Sequence, residues 1–302
     1  GVTMPVVAIF GPTASGKSAI AVALAHLIDG EVVSADSMQV YRGLERITNQ
    51  PTEAEREGVP HHCVGCVDPD EPYDVVRYAA DAHAAIDGIL ARGRTPIVAG
   101  GSGLYLRAAL AELEFPPHVD DALRQRIQDE VEALGPDAAH ARLAELDPAA
   151  AARIEPGDTR RVVRALELAE VGATLAIDGG LWDAAARHPT RLFGLQVPRS
   201  VLHARIDART PLLVEAGAAQ IAETDPSHTA ARAHGVDDVR AMLAGAIDRA
   251  ECERRLATRT RQYAKRQDTW LRKIPNAEPV DADRAPETVA ADIAERLRTP
   301  PR

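Results

Sequence analysis

The 302-residue chain has few cysteines and no long hydrophobic run. Its three cysteines, Cys63, Cys66 and Cys252, are an odd number without a regular spacing, which argues against a disulfide-stapled secreted fold. No apolar run approaches the roughly 20 residues that a membrane span needs, and no signal-peptide arrangement is present. We therefore expect a cytoplasmic protein that does not enter a membrane.

The sequence also lacks an excess of basic charge. Lysine and arginine number 35 against 45 aspartate and glutamate residues, which gives a formal net charge of −10. This balance argues against a protein that coats nucleic acid indiscriminately, although a net charge hides local patches. The 45% hydrophobic and 26% charged content is typical of a globular protein, and the length suffices for an α/β core plus a second, smaller unit.

The clearest positive feature is a phosphate-loop pattern near the N-terminus. It comprises Gly11, Pro12, Thr13, Ala14, Ser15, Gly16, Lys17 and Ser18. A strand-like run at residues 6–10 precedes the loop and a helix-like run at residues 18–28 follows it. This order favours an anion site over a glycine-rich helix N-cap that binds nothing, because backbone N–H groups and the helix N-terminus then face one ligand.

Two side chains of this loop have expected roles. Lys17 would place its charge at the terminal phosphates, and the Ser18 hydroxyl would be a ligand of Mg²⁺. The loop alone leaves open whether the anion is ATP or another diphosphate.

The pattern of apolar runs predicts the fold class. Such runs occur at residues 6–10, 31–35, 95–99 and 191–197, and helix-like stretches separate the first three. This alternation predicts an α/β fold, a P-loop NTPase-like parallel sheet flanked by helices. Alanine-rich segments predict an all-helical insertion domain at 116–190 within a core made of residues 1–115 and 191–302. The second part of the core includes a long basic helix at 249–273 and a last helix at 286–297.

Turns after two of the predicted strands carry further polar groups. Ligand sites of open parallel sheets lie beyond the carboxyl ends of the strands. Asp36 follows the run at 31–35, within reach of Lys17 and Ser18, and its carboxylate suits either a general base or a metal ligand. A second glycine turn follows the run at 95–99 and presents the Ser102 hydroxyl at a helix start.

The segment at residues 61–66 contains four side chains that can bind zinc. They are His61, His62, Cys63 and Cys66. No distant second pair completes a site, so we favour ordinary packing of these side chains over a structural zinc.

Basic residues cluster in two places that the acidic total conceals. Four arginines, at 153, 160, 161 and 164, lie in the insertion, and eight lysines and arginines lie between 254 and 273. The acidic residue that we expect to accompany this second run is Asp268. We therefore favour contact with an external polyanion, such as a nucleic-acid backbone, over a solvated face with intrahelical pairs.

Taken together, these blocks resemble those of bacterial tRNA dimethylallyltransferases, which prenylate the exocyclic amine of an adenosine beside the anticodon. The blocks that carry the resemblance are residues 11–18, 34–41, 58–62, 100–105, 147–154, 160–167 and 260–271. The phosphate loop is shared with many NTPases, whereas this combination in this order is highly specific. The resemblance extends over nearly all of the chain.

The resemblance implies that the phosphate loop binds dimethylallyl diphosphate rather than ATP. Lys17, Ser18, Mg²⁺ and Arg209 would hold the diphosphate, and Asp36 would be the general base in a catalytic set with Ser102 and Lys17. It also implies tRNA contacts by Asp36, Ser37, Met38, Gln39, Ser102, Arg124, Arg160, Arg161, Val162, Val163 and Arg164. The partner would be the anticodon stem-loop of tRNA, and we expect a monomer.

The implied reaction transfers the dimethylallyl group to N6 of adenosine 37 in tRNAs that read codons starting with U. Three alternatives remain: an adenylate isopentenyltransferase acting on free adenine nucleotides, a P-loop small-molecule kinase, and a non-catalytic tRNA-binding relative. The chain departs from the family pattern at Ser102, where the family has Thr, at Val236, where it has Tyr, and at Ala231, where it has Arg.

Overall fold

The structure, a computed structural model, describes residues 6–113, 119–173, 186–224, 230, 233 and 235–299. The chain divides into two compact units. Unit 1 comprises Gly1–Glu112 and Ala185–Arg302, and unit 2 comprises Leu113–Ala184. The insertion predicted at 116–190 overlaps unit 2 but extends beyond its C-terminal limit. Ala231 lies outside the described residues.

Unit 1 is built on a six-stranded parallel sheet in the order β3-β2-β4-β1-β5-β6. The strands are β1 (Val6–Phe10), β2 (Gly30–Ser34), β3 (His61–His62), β4 (Thr95–Gly100), β5 (Thr190–Gln196) and β6 (Glu278–Asp281). The predicted α/β fold is confirmed, and the four predicted strands form the centre of the sheet. The sequence did not reveal β3 and β6, because both are short edge strands without an apolar run.

Helices alternate with these strands and flank the sheet. In unit 1 they begin with α1 (Lys17–Ile28), α2 (Glu53–Arg56), α3 (Val75–Ala91) and α4 (Gly103–Leu110). Unit 2 contains α5 (Asp121–Leu134), α6 (Pro136–Leu146), α7 (Pro148–Arg153) and α8 (Thr159–Glu170). The chain then continues in unit 1 with α9 (Arg199–Ala222), α10 (Val236–Leu243), α11 (Arg249–Lys273) and α12 (Pro286–Leu297).

Aspartate caps fix several helix starts. The side chain of Asp248 accepts the N–H of Glu251 and so begins α11 at the position that the sequence predicts. Asp120 caps α5 in the same way by accepting the N–H of Leu123. These caps satisfy N–H groups that have no partner within the helix.

The core of unit 1 lies between the sheet and its helices. Ile9, Ile97 and Phe193, from three adjacent central strands, are completely buried and pack with Leu24 of α1 and Val289 of α12. This packing holds the carboxyl ends of the strands in a fixed arrangement. It thereby positions the loops that follow β1, β2 and β4.

Unit 2 has its own small core. Ile127, Leu143, Val162 and Leu166 are buried together among α5, α6 and α8. In none of the helices within the described ranges is there an apolar stretch long enough to cross a bilayer.

Candidate active site

The phosphate loop joins β1 to α1 and leaves the start of that helix open. Gly16 precedes α1 with a φ of 86°, in the left-handed region that favours glycine, and no side chain caps the helix. The N–H groups of the first turn therefore remain available to a ligand. The loop is one wall of a cavity of about 460 Å³.

Other segments of unit 1 complete this cavity. Asp36 follows β2, Arg209 comes from α9, Tyr263 from α11 and Arg284 from the turn before α12. The sequence-predicted residues that line it are Thr13, Ala14, Ser15, Gly16, Lys17, Ser18, Asp36, Met38, Gln39 and Arg209. Ser102, Ser37, Gly11 and Pro12 are not part of this lining.

Two cations of the cavity have altered acidity. Burial lowers the pKa of the Lys17 ammonium group; the Asp36 carboxylate opposes this shift, and Arg209 adds to it. Burial also lowers the pKa of the Arg209 guanidinium group. Within the described ranges, neither side chain has a carboxylate within salt-bridge distance. A bound diphosphate would supply the negative charge that these cations lack.

Asp36 is held in one orientation by its own turn. It is 8% exposed, and its Oδ1 accepts the N–H of Met38 at 2.9 Å. Among the described residues, no hydrogen-bond donor reaches the second carboxylate oxygen. One oxygen thus fixes the carboxylate, and the other is able to accept a proton from a ligand in the cavity.

The second glycine turn approaches its neighbours too closely for a side chain. A Cβ on Gly100 would lie 2.1 Å from the carbonyl oxygen of Ala35, and a Cβ on Gly101 would lie 2.1 Å from Nε2 of Gln267. Ser102 begins α4 as its N-cap residue, partly exposed and without a side-chain capping bond. The turn therefore packs tightly against the end of β2, next to Asp36.

The donor set of the cavity suits Mg²⁺. The exposed Ser18 hydroxyl and the Asp36 carboxylate line the same cavity, and both are oxygen ligands of the kind that Mg²⁺ prefers. The part of the chain that the structure describes contains no group of three or more histidine, cysteine or carboxylate side chains that could by itself hold a metal ion. Mg²⁺ commonly binds through one or two protein oxygens together with substrate phosphates, so the residues present fit this ion.

The histidines and cysteines at residues 61–66 pack as ordinary side chains. Nε2 of His62 lies 2.9 Å from the Glu31 carboxylate, and Nδ1 of His61 lies 2.8 Å from the Val59 carbonyl oxygen. Cys63 is buried, and this burial raises the pKa of its thiol to about 12.

Comparisons with known proteins bear directly on this site. A family model described as IPP transferase matches residues 39–274. The chain belongs to the IPP transferase family. A second family model, described as Isopentenyl transferase, matches residues 4–62, the part that contains the phosphate loop and Asp36.

Individual relatives are similar to this chain over most of their length. A tRNA dimethylallyltransferase from Anaeromyxobacter sp. (strain K) is 49% identical, over 89% of this chain and 90% of the relative. A solved tRNA isopentenylpyrophosphate transferase from Bacillus halodurans is 34% identical with a TM-score of 0.69, over 98% of this chain and 97% of that one. A eukaryotic dimethylallyltransferase described as acting on tRNA gives a TM-score of 0.72 at 29% identity, over 96% of this chain and 77% of that one.

In unit 2, two of the predicted RNA-contacting arginines share a buried carboxylate. Glu167 is 2% exposed; Arg164 donates to it at 3.2 Å, and Nε of Arg124 lies 3.6 Å away. Arg160 has no ion-pair partner among the described residues, whereas Arg161 is 3.5 Å from Asp158. Arg160 and Arg161 are both exposed on α8.

One predicted RNA contact needs correction. The Val162 side chain is 1% exposed and packs in the core of unit 2, and its backbone N–H donates to the Asp158 carbonyl. It is therefore not available for a side-chain contact with RNA. Val163 is partly buried against the same core.

The expectation that Asp268 is almost the only acidic residue beside the basic run of α11 is wrong, since five of the eight cations between 254 and 273 are ion-paired, whereas contact of this helix with a polyanion stays a prediction. The acidic partners of the helix are Glu251, Glu253 and Asp268 on α11 itself and two aspartates on other helices. Ion pairs join Arg249 to Glu253, Arg254 and Arg255 to Glu251, Arg259 to Asp238, Arg261 to Asp207 and Arg272 to Asp268. The sequence estimate overlooked the two glutamates in the first turns and could not foresee partners from α9 and α10.

The structure adds three residues that the sequence analysis did not single out. Gln267 is buried beside the phosphate loop, Arg205 donates to the Ala14 carbonyl at 3.0 Å, and Tyr263 lines the cavity. Gln267 and Tyr263 lie in the block at 260–271 that carries part of the family resemblance, and this block was the sequence signal that could have identified them. Val236 is completely buried.

Proposed function

We propose that this protein transfers a dimethylallyl group from dimethylallyl diphosphate to N6 of adenosine 37 in tRNAs that read codons starting with U, and releases diphosphate. Membership of the IPP transferase family supports the prenyl-transfer chemistry. The observation that carries the proposal is a single cavity lined by Lys17 and Arg209, which have no direct ion pair among the described residues, and by the Asp36 carboxylate, which its own turn holds in one orientation.

The lining of this cavity is suited to an isoprenyl diphosphate. Lys17 and Arg209 provide positive charge, and the open start of α1 provides N–H groups for a diphosphate. Ile47, Leu213 and Leu256 add apolar surface to the same cavity, which suits the hydrocarbon part. This combination supports dimethylallyl diphosphate over a nucleoside triphosphate.

The reaction requires one bond to form as another breaks. The N6 lone pair forms the new bond to the allylic C1 carbon, while the C1–O electron pair leaves with the diphosphate oxygen. The free oxygen of Asp36 accepts the N6 proton, because delocalisation into the ring makes the amine a poor nucleophile. Lys17, Arg209 and the loop N–H groups stabilise the departing negative charge.

The Ser18 hydroxyl would hold Mg²⁺ at this site. When bound, the ion supplies additional positive charge to the departing diphosphate.

The RNA partner is proposed to be the anticodon stem-loop. The names of the relatives support tRNA as the substrate class. The exposed Arg160 and Arg161 and the partly exposed Arg124 and Arg164 of unit 2 suit contacts with phosphate groups. The target base has to leave its stack to reach a buried carboxylate. We further propose that the protein acts as a monomer in the cytoplasm.

Labelled dimethylallyl diphosphate tests the proposal. The protein would be incubated with the label, Mg²⁺ and tRNA, AMP, or a control tRNA in which guanosine replaces adenosine 37. We expect label in the unaltered tRNA only. Label in AMP but not in tRNA would instead support an adenylate isopentenyltransferase, and phosphate transfer from ATP would support a kinase.

A further inference from the structure

The buried Gln267 side chain of α11 joins two loops of the candidate site. It is 2% exposed. Its Nε2 donates to the Gly101 carbonyl at 2.9 Å, and its Oε1 accepts the N–H of Thr13 at 2.8 Å. Both ends of the amide are therefore bound, one to the phosphate loop and one to the second glycine turn.

These two loops are adjacent because β1 and β4 are neighbours in the sheet. The N–H of Gly11 also donates to the Gly100 carbonyl at 3.3 Å. A Cβ on Gly101 would lie 2.1 Å from Nε2 of Gln267, so the turn leaves room for that amide only because residue 101 is glycine. The neighbouring Gly100 packs as tightly on the Ala35 carbonyl, one residue before Asp36.

We propose that Gln267 is a positioning residue, which fixes the phosphate loop relative to the turn that supports Asp36. This inference rests on the proposed function. Gln267 holds the start of the phosphate loop through Thr13, and through Gly101 it holds the turn that packs against the end of β2. It thereby sets the distance between the diphosphate and the carboxylate, and a displacement of about 1 Å in such a geometry can lower a rate on the order of 100-fold.

A purely structural role would have different consequences. Removal of a buried amide that only stabilises the fold would lower the unfolding midpoint and leave the folded protein with normal ligand affinity and turnover. A positioning role requires that the folded protein itself binds diphosphate less well and turns over more slowly.

The first experiment compares three variants with the wild type. Gln267→Ala removes the amide, and Gln267→Met removes its hydrogen bonds while keeping the side-chain length, in case the smaller residue impairs folding. Gln262→Ala is the matched control, since Gln262 is exposed on the same helix and has no hydrogen bond among the described residues. Calorimetry would measure the Kd for inorganic pyrophosphate with Mg²⁺, and steady-state assays would give kcat and KM.

We expect Gln267→Ala and Gln267→Met to raise the pyrophosphate Kd about 5-fold or more and to lower kcat on the order of 10-fold to 100-fold. Gln262→Ala should stay within about twofold of the wild type on both measures. Folded Gln267 variants with wild-type Kd and kcat would overturn the proposal.

A double-mutant cycle tests the contact itself. Gly101→Ala should displace the Gln267 amide, whose Nε2 lies nearest to the added Cβ at 2.1 Å, ahead of the Gly11 carbonyl oxygen at 2.9 Å. Combining it with Gln267→Ala removes the nearer clash and should therefore cost less than the product of the two single losses. Gly103→Ala is the matched control, because the nearest atoms to its Cβ all belong to Trp270. Multiplicative losses for Gly101→Ala with Gln267→Ala would contradict the proposed coupling.

The pyrophosphate measurement separates this inference from the proposed function. A wild-type protein that binds pyrophosphate but transfers no label to tRNA would refute the proposed function alone. The change in pyrophosphate Kd between wild type and Gln267 variants would still decide the role of Gln267.

Discussion

The two ends of strand β2 each carry a buried carboxylate among cations, but the contacts differ. At the start, Glu31 accepts Nε of Arg92 at 3.1 Å and its Nη2 at 2.8 Å, and lies 2.9 Å from Nε2 of His62. Just past the end, Asp36 shares a cavity with Lys17 and Arg209 without a direct ion pair among the described residues. The charged groups at the start of β2 are thus ion-paired, whereas those beyond its end have no direct ion pair among the described residues.

This difference distinguishes stabilising charges from charges that await a ligand. At the start of β2 the opposite charges of Glu31 and its partners compensate each other, so these residues gain no stability from an added anion. At the carboxyl end, Lys17 and Arg209 are partly desolvated and have no direct ion pair among the described residues, and a bound diphosphate would add negative charge beside them. The predictions below test whether the two ends behave in these two ways.

Asp36→Asn should have the largest effect. Its Oδ1 can still accept the Met38 N–H, so the turn should persist, but the side chain can no longer accept a proton. Removal of a general base lowers kcat by about 10² to 10⁴ fold, while affinity for tRNA should change little. Single-turnover experiments would measure the catalytic rate, and filter binding would measure the affinity for tRNA. A wild-type rate in the variant would show that Asp36 is not the general base.

Arg209→Ala should lower kcat on the order of 10² fold, because it removes one stabilising charge from the departing diphosphate. Arg92→Ala is the matched control at the other end of β2, where the guanidinium group pairs with Glu31. Steady-state kinetics should show nearly unchanged turnover for this control. Equal losses in both variants would show that the two ends do not differ in function.

Charge reversal of Arg160 and Arg161 should extend the comparison to unit 2. If these exposed arginines contact RNA phosphates, the double variant should bind tRNA on the order of 10-fold more weakly and with a flatter salt dependence. Arg142→Glu is the control, a charge reversal on α6 of the same unit, at an arginine outside the predicted RNA contacts that lies 3.1 Å from Glu130. Binding titrations over a range of salt concentrations would measure how the tRNA affinity depends on salt. An unchanged salt dependence in the double variant would show that Arg160 and Arg161 are merely solvated.

Glu31→Gln should have the smallest effect, on stability alone. Burial would raise the pKa of Glu31, but hydrogen bonds from Arg92 and His62 hold it below its ordinary value of 4.5. A lowered folded-state pKa stabilises the fold above pH 4.5, and this stabilisation is lost as the pH falls through the folded-state pKa. Urea midpoints should therefore be lower for the variant at pH 7 and converge with wild type in acid. A lowered midpoint that persists in acid would show that the Glu31 charge is not the cause.

Much of the fold was predictable because its signals are local. The apolar runs identify the four central strands, and the helical pattern identifies α11 with its observed bounds. The short edge strands β3 and β6 were not predictable, since β6 contains Pro279 and neither has an apolar run. Such strands form because the neighbouring strand offers hydrogen-bonding partners.

The candidate site was predictable in part for the same reason. A phosphate loop and the residue after a strand can be located along the chain, so Lys17 and Asp36 were found from sequence. Which arginines are paired could not be found in this way, because the partners of Arg259 and Arg261 lie on other helices. The bridging position of Gln267 likewise depends on residues 166 and 254 positions away.

The sequence by itself determined the strand–loop–helix unit at the start of the chain, the α/β class and the extent of the long helix. Each of these depends on spacing within a few residues. Only the tertiary structure decided which charges remain uncompensated, that Val162 is buried, and that Gln267 joins two loops. These properties depend on groups that the packing of the sheet and helices brings together. Burial and distance determine the interaction energies of these groups, and neither can be read from the residue types alone.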